Sequence, residues 1–296
     1  MHELSLDLPE GSITALVGPS GCGKTTTLKM INRLIEPTGG TIEVFGRDIR
    51  SQPVHELRRG IGYVIQQAGL FPHRTVAANI ATVPSLLGWD KARIRARVEE
   101  LVDLVGLLPE ILDRYPAALS GGQQQRVGVA RALAADPPIL LMDEPYSAVD
   151  PIVRARLQDE LMSLQQRVRK TIVLVTHDID EAIKLGDRVA LLEIGGVLAQ
   201  FGPPDELLRA PAGPFVEAFL GHERALRRMG LRRIAGTELG PAPATVDGTP
   251  TIASSRGLRE ALDVLVATGS PTVVVVDENG TPVGSLDLDR LSQAMR

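Results

Sequence analysis

The segment at residues 18–25, Gly-Pro-Ser-Gly-Cys-Gly-Lys-Thr, restricts the fold of this 296-residue chain more than any other feature. It has the spacing G-x-x-x-x-G-K-[ST], in which glycines let the backbone curl so that its N–H groups point at a phosphate. The apolar residues 13–17 precede it, and Leu28, Ile31 and Leu34 follow at helical spacing. The sequence therefore predicts a strand, a phosphate-binding loop and a helix, in that order.

This segment, called the phosphate loop below, suits the terminal phosphates of a nucleotide. Lys24 supplies a full positive charge, the Thr25 hydroxyl is a ligand for Mg²⁺, and the helix N-terminus adds a favourable dipole. We predict ATP as the ligand and Mg²⁺ as the cofactor. The predicted ATP-binding residues are Gly18, Pro19, Ser20, Gly21, Cys22, Gly23, Lys24, Thr25 and Thr26.

A second apolar run, residues 139–142, ends in two adjacent carboxylates. A buried strand would deliver Asp143 to its end, where the carboxylate can hold Mg²⁺ through water. Glu144 would then orient or deprotonate the attacking water. Two acids after an apolar run are weak evidence alone, because helix caps and loops often look the same, but the upstream phosphate loop favours the catalytic interpretation.

The segment at residues 119–126, Leu-Ser-Gly-Gly-Gln-Gln-Gln-Arg, is the most specific in the chain. Its S-x-x-Q pattern is a capping box that predicts a helix N-terminus, and its paired glycines let a ligand approach the backbone closely. The octet resembles the signature motif of ABC ATPases. The resemblance implies that two copies of the chain close head to tail, with ATP held by one copy and contacted by four residues of the other, Ser120, Gly121, Gly122 and Gln123.

Three further motifs resemble those of the same family, in the expected order. Gln66 resembles the Q-loop glutamine, which senses Mg²⁺ and the transmembrane partner, and residues 147–150 resemble the D-loop, with Val149 at a usual leucine position. His177 resembles the switch histidine that contacts the γ-phosphate; a single histidine at a strand end is more often structural, but the other motifs favour this role. The family thus implies Glu144, His177 and Lys24 as catalytic residues, Asp150 as a contact in trans, and Thr25, Gln66 and Asp143 as Mg²⁺ ligands.

Apolar strands that alternate with amphipathic helices predict an α/β layer with a mainly parallel sheet. Residues 91–105 are such a helix, and Asp150-Pro151 is a helix start with Asp as cap and Pro at the first position. The resemblance makes this a P-loop NTPase of the ABC ATPase type with a helical subdomain, over residues 1–222. Family members carry about two more strands and an adenine-stacking aromatic residue before Leu4; we expect ATP to bind without them, because phosphate and Mg²⁺ contacts dominate.

The composition changes after residue 222. Residues 223–250 are basic and then rich in glycine and proline, which predicts a linker. Residues 251–296 predict a helix, a strand, a hairpin turn at Asn279-Gly280 and a return strand. This small α+β unit resembles a single CBS domain, and its helix disfavours the small barrel that sugar and molybdate importers carry. The ligand of such a unit is left open.

Composition also restricts the partners of the chain. The net charge of −4 disfavours a nucleic-acid binder, and the single cysteine excludes an internal disulfide. No apolar run approaches the roughly 20 residues of a transmembrane helix, and the N-terminus lacks a signal-peptide pattern. We therefore expect a peripheral protein at the cytoplasmic face of the plasma membrane, with transmembrane permease subunits as partners and a solute-binding protein as an indirect one.

Residues 29–34, 62–67 and 70–73 are similar to the glycine betaine/carnitine/choline branch of the importers. The function implied is the ATP-hydrolysing subunit of an osmoprotectant importer, and an importer of another small solute, such as an amino acid, stays open. A soluble ABC ATPase of DNA repair or ribosomes would carry coiled-coil insertions or two tandem ATPase units, and neither is found. A purely regulatory nucleotide sensor is disfavoured by the presence of Glu144 and His177.

Overall fold

The computed structural model describes residues 3–66, 69–147, 149–243 and 248–295. The chain divides into two compact units, Met1–Pro203 and Pro204–Arg296. Within the described residues, no helix combines the length and the apolar character that a membrane span requires.

The first unit contains eight strands and eight α-helices among its described residues. The strands are β1 (Ile13–Val17), β2 (Glu43–Val44), β3 (Arg47–Asp48), β4 (Ile61–Val64), β5 (Ile139–Asp143), β6 (Thr171–Val175), β7 (Arg188–Glu193) and β8 (Val197–Gly202). The helices are α1 (Lys24–Ile31), α2 (Val54–Arg59), α3 (Val76–Ile80), α4 (Thr82–Leu86), α5 (Lys91–Leu104), α6 (Gly121–Leu133), α7 (Pro151–Val168) and α8 (Ile179–Leu185).

The main sheet has six strands in the order β4-β5-β6-β1-β7-β8. All neighbours pair in parallel except β7 and β8, which are antiparallel. This confirms the predicted α/β arrangement with a mainly parallel sheet. The carboxyl ends of β1, β4, β5 and β6 share one edge, so the segments that follow these strands are neighbours there, which is where α/β sheets bind ligands.

Both faces of the sheet are covered, which explains the continuous apolar strands. On β5, Leu140 and Met142 join a cluster with α5, α6 and α7, whereas Ile139 and Leu141 join a second cluster with α1 and α2. Alternate residues of one strand therefore enter two different cores.

Side-chain caps fix where three of the helices begin. Asp90 Oδ1 accepts from the backbone N–H of Arg93 at the start of α5. The predicted capping box of α6 is confirmed, because Gln123 N–H donates to Ser120 Oγ at 3.3 Å and Ser120 N–H donates to Gln123 Oε1 at 3.0 Å. The predicted Asp-Pro start of α7 is also confirmed, with Asp150 as its cap.

The apolar residues Ile42, Val44 and Phe45 predict a strand over residues 41–45, but the strand that forms is much shorter. Only β2 forms there, and it pairs with β3 in a separate two-stranded ribbon. Phe45 and Gly46 have φ of 51° and 71°, so the chain turns back at the point where the apolar pattern predicted a continuing strand.

The second unit begins with three helices, α9 (Pro204–Arg209), α10 (Pro214–Leu220) and α11 (Arg224–Leu231). They are followed by β9 (Thr251–Ala253), α12 (Leu258–Thr268), β10 (Val273–Val276), β11 (Pro282–Leu286) and α13 (Leu288–Gln293). The three strands form one sheet, in which β9 and β10 are parallel and β10 and β11 are antiparallel. Gly280 has a φ of 80° in the hairpin turn.

The limits of the second unit differ from the boundary expected at residue 222. The segment expected to be a linker, residues 223–250, contains α11, and its residues 244–247 lie outside the described part of the chain. Arg228 Nε donates to Asp205 Oδ1 at 2.7 Å, and Met229 lies in the same apolar cluster as Leu258. The apolar stripe of α11 is thus covered by its own unit, which a reading of composition alone did not detect.

Gly62 allows β4 to lie very close to α6. A Cβ atom at this position would lie 2.5 Å from the carbonyl oxygen of Ala132 and 2.5 Å from Leu140 Cδ2. Distances of this kind require the backbone of one element to move, so the strand and the helix can approach this closely only when the residue is glycine.

We predict that Gly62→Ala destabilises the first unit by about 1–3 kcal/mol, because the added methyl group overpacks the contact between β4 and α6. The midpoint of thermal unfolding should fall on the order of 5 °C. Gly60→Ala is the matched control, since a Cβ there would lie 3.6 Å from Leu57 O, an ordinary contact. Equal midpoints for the two variants would contradict this account of Gly62.

Candidate functional site

The phosphate loop curls between the end of β1 and the start of α1. Gly18 has a φ of 153°, and a Cβ there would lie 2.2 Å from the carbonyl oxygen of Leu192 on the neighbouring β7. Gly23, with a φ of 105°, is the residue before α1. These conformations are accessible to glycine, so the loop can turn its N–H groups inward next to the helix N-terminus.

Lys24 lies inside this loop and is only 6% exposed. Its ammonium group donates to Gly18 O at 2.7 Å and to Pro19 O at 3.0 Å. The two carbonyl groups hold the positive charge in the concave side of the loop, where a phosphate oxygen would be its natural partner.

Asp143 and Thr25 meet across the edge of the sheet, as a Mg²⁺ site requires. Thr25 Oγ1 donates to Asp143 Oδ1 at 2.8 Å, and Asp143 is 8% exposed. A hydroxyl and a carboxylate at the terminal phosphates form an oxygen donor set that suits Mg²⁺. The residues therefore fit the predicted cofactor, and Mg²⁺ coordination itself stays a prediction.

Tyr63 is a neighbour of this pair that the sequence did not reveal. Its hydroxyl lies 3.5 Å from Asp143 Oδ2. Burial, together with the charge of Asp143 and the hydrogen bond to it, raises the pKa of Tyr63 to about 12. The phenol stays protonated and can donate to the carboxylate, which orients Asp143.

Gln66 lies after β4, where it contacts the segment that follows β5. Its Nε2 lies 3.4 Å from Ser147 Oγ, and Ser147 Oγ in turn donates to the carbonyl of Glu144. In the described residues Gln66 is thus joined to the segment after β5 rather than to Thr25 or Asp143. Its neighbours in the motif, Gln67 and Ala68, lie outside the described residues, and its role as a Mg²⁺ ligand stays a prediction.

Glu144 and His177 come together at the ends of β5 and β6. His177 Nδ1 lies 3.4 Å from Glu144 Oε2. Glu144 has a φ of 46°, and its N–H donates to Val175 O at 2.9 Å, which turns its side chain out of the strand direction. A left-handed non-glycine residue costs on the order of 1 kcal/mol or more, and such strain is concentrated at functional sites.

The residues predicted to act in trans begin two helices. Ser120 and Gly121 are exposed at the N-terminus of α6, and Asp150 accepts from the N–H groups of Ile152 and Val153 at the N-terminus of α7. Ala148 of the D-loop lies outside the described residues. Contacts of these residues with ATP in trans stay a prediction.

Comparison with known proteins agrees with this geometry. A family model described as ABC transporter matches residues 1–147. The chain is 48% identical to the glycine betaine/carnitine/choline transport ATP-binding protein OpuCA of Bacillus subtilis, over 99% of this chain and 75% of that protein. It is 50% identical to the osmoprotectant import ATP-binding protein OsmV of Salmonella typhimurium, over 96% of this chain and 73% of that protein.

The chain belongs to the ABC transporter ATP-binding proteins. Among solved structures, a dimeric ATP-binding cassette in a post-hydrolysis state with ADP and Pi matches with a TM-score of 0.60 and 34% identity, over 67% of this chain and 88% of that one. The fold of the first unit is thus the P-loop ATPase fold of ABC cassettes.

Glu181 is a second residue of this ABC cassette that the sequence did not reveal. It lies on α8 next to the site, is 5% exposed, and accepts from Thr176 Oγ1 at 3.0 Å. Its pKa is raised to about 7, chiefly by burial; the hydrogen bond from Thr176 and the charge of Arg154 act to lower it, and the charges of Asp178 and Glu144 act to raise it. The available signal was an acidic residue among Ala182, Ile183 and Leu185 on a buried helix face.

We predict that Glu181→Gln makes the cassette more stable than wild type at pH 8 but not below about pH 5. The pKa of Glu181 is about 7 in the folded chain and 4.5 ordinarily, so folding favours the protonated form, and wild-type stability falls as pH rises through this window. Glutamine cannot ionise and avoids the loss, which has an upper limit on the order of 3 kcal/mol. Thermal unfolding at pH 5, 6.5 and 8 measures the difference.

Asp180→Asn is the matched control, because it removes the same charge from the exposed neighbouring residue. It tests whether removal of a charge from this helix is by itself enough to produce the effect. A difference between Glu181→Gln and wild type that does not grow with pH would contradict the predicted ionisation.

Proposed function

We propose that this chain is the ATP-hydrolysing subunit of an ABC importer for quaternary-amine osmoprotectants. The observation that carries the catalytic part is the meeting of three groups at one edge of the sheet: the Lys24 loop, the Thr25–Asp143 pair and the Glu144–His177 pair. A phosphate-binding group, an oxygen donor set for a metal and a carboxylate base are the parts that phosphoryl transfer to water requires.

Each group has a distinct role in this proposal. The loop N–H groups and Lys24 bind the terminal phosphates, and Thr25 and Asp143 hold Mg²⁺. Mg²⁺ supplies charge neutralisation at the phosphate oxygens when it is bound. Glu144 orients the attacking water and accepts its proton, while His177, 3.4 Å from Glu144, contacts the γ-phosphate.

A second copy of the chain completes the site in this proposal. Ser120, Gly121, Gly122 and Gln123 lie at the N-terminus of α6, where the backbone N–H groups of the two glycines are available to an anion, and Asp150 caps α7. Support comes from the dimeric state of the solved cassette to which the chain is similar. Opening of the dimer after hydrolysis would then drive transmembrane permease subunits, with the chain peripheral at the cytoplasmic face of the membrane and a solute-binding protein as an indirect partner.

The solute class rests on the relatives. Their printed names refer to glycine betaine, carnitine, choline or osmoprotectants, at identities of 46–50% over nearly the whole of this chain. Such identities support related permease partners and a related solute.

We further propose that the second unit is CBS-like and regulates transport. Its β9-α12-β10-β11-α13 order, with parallel and then antiparallel pairing, supports this proposal. A regulatory role leaves the phosphate chemistry to the first unit, whose catalytic groups all precede Pro204.

We predict that Glu144→Gln lowers the kcat of ATP hydrolysis by about 100-fold or more and traps ATP-bound dimers, because the amide keeps the shape of the side chain but cannot accept the proton. Phosphate release and size-exclusion chromatography in MgATP measure the two effects. Glu99→Gln, on the exposed side of α5, is the control with the same chemical change. Turnover close to wild type would rule out Glu144 as the base.

We predict that cells lacking their own osmoprotectant importers regain uptake of labelled glycine betaine or choline when this chain is expressed with its permease and binding protein. Lys24→Ala should abolish the uptake, because the phosphates lose their cationic partner. An excess of unlabelled amino acids should not compete. Uptake of an amino acid but of no quaternary amine would contradict the proposed solute class while leaving the ATPase role intact.

A further inference from the structure

A connected set of polar groups joins the segment that carries His177 to the segment that carries Asp150. Residues 176–178 form the histidine loop, which follows β6. Glu181, one turn further along the chain, contacts this loop, and Arg154, on α7, contacts both the loop and the D-loop. None of these contacts is needed to bind phosphate or Mg²⁺.

The first part of the connection fixes the two residues that flank His177. Thr176 Oγ1 donates to Glu181 Oε2 at 3.0 Å and accepts from the N–H of Asp178 at 3.0 Å. Asp178 Oδ1 then accepts from the N–H of Glu181 at 3.3 Å. This closed ring of hydrogen bonds holds the backbone on either side of His177, while the His177 side chain itself is 59% exposed and free to face ATP.

The second part leads from the histidine loop to the D-loop. Arg154 Nη1 lies 3.7 Å from Asp178 Oδ2, and Arg154 Nη2 donates to Val149 O at 3.1 Å. Val149 immediately precedes Asp150, the residue proposed to act in the partner's site. The guanidinium therefore connects a group of one ATP site with a group offered to the other.

Two buried polar atoms in this region lack a hydrogen-bond partner among the described residues, Glu181 Oε1 and Arg154 Nε. Their side chains can carry opposite charges, and the charge of Arg154 partly opposes the burial that raises the pKa of Glu181. An unpaired buried polar atom is costly, so each of the two atoms would be stabilised by a hydrogen-bond partner. Neither atom has a role in the proposed hydrolysis, so both are available for another role.

We propose that Glu181 is a positioning residue for ATP hydrolysis: it holds the histidine loop through Thr176, and Asp178 of this loop meets Arg154, which contacts the D-loop. This inference rests on the proposed ATPase function and adds a link between His177 and Asp150 to it. Glu181 touches neither ATP nor water in this role; it acts through the residues that do.

The test compares variants of the full chain with its permease partners in steady-state hydrolysis of MgATP. Glu181→Ala removes the acceptor that holds Thr176 and should lower kcat about tenfold, with a KM for ATP within about twofold of wild type. Glu181→Gln keeps an acceptor for Thr176 and should restore most of this loss, to about threefold below wild type. Asp180→Asn, at the exposed neighbouring position, should hydrolyse ATP at the wild-type rate.

A double-mutant cycle tests the route through Thr176. Thr176→Val removes the hydroxyl that joins Glu181 to the histidine loop, so Thr176→Val with Glu181→Ala should be no slower than the slower single variant. Effects on kcat that multiply would overturn the link, because they would mean that the two residues act independently.

A pH comparison separates positioning from a merely structural role. The groups that face Glu181 are Asp178, Arg154, Glu144 and Tyr146, with His177 nearby. Wild type and Glu181→Gln share all of them, so the ratio of their kcat values cancels the other titrations. The kcat of wild type divided by that of Glu181→Gln should rise from about 1 at pH 6 to about 3 at pH 8.5, because Glu181 ionises and gains attraction for Arg154.

The outcomes remain distinguishable if a variant is poorly folded. Glu181→Gln is predicted to be at least as stable as wild type, so a lower kcat in that variant cannot come from unfolding. A kcat of Glu181→Ala within twofold of an active wild type would overturn this inference alone. A wild-type chain that does not hydrolyse MgATP with its permease would overturn the proposed function and this inference together.

Discussion

The buried charge of Lys24 is the constraint on which the rest of the site depends. A cation in a nearly closed loop is costly unless polar groups surround it, and here the carbonyl groups of Gly18 and Pro19 do so. The loop can place them there only because Gly18 lies against the backbone of β7 with no side chain between. The position of β7 beside β1, and with it the order of the sheet, thus sets the shape of the phosphate site.

The acidic side of the site follows from the register of the parallel strands. Asp143 pairs with Val175 across β5 and β6, so the residues that follow, Glu144 and Thr176, leave the sheet at the same level. The left-handed turn at Glu144 is held by its hydrogen bond to Val175 O. A catalytic carboxylate and the histidine loop therefore face each other because two strands end together, and the strain at Glu144 is offset by sheet pairing.

Much of the first unit could be predicted from the sequence, because its signals are local. Glycine spacing, the Ser120–Gln123 capping box and apolar runs that end in acids each lie within a few residues. Tyr63 could not be found in this way, since its partner is 80 residues away, and the role of Glu181 comes from its burial, although its partner is only 5 residues away. The limit of the second unit was missed because the packing of α11, not the composition, decides it.

Helix α6 has a consequence for how the two ATP sites communicate. It begins at Ser120, on the surface proposed to meet the partner's nucleotide, and its last turn abuts Gly62 on β4, the strand that leads to Gln66. A helix of 13 residues is about 20 Å long and changes length very little. The helix therefore moves as a rigid body. A displacement of its N-terminus at Ser120 must move β4 or break the close contact at Gly62. Because Gly62 has no side chain, the C-terminal end of α6 is held against β4, and α6 connects the two proposed nucleotide sites.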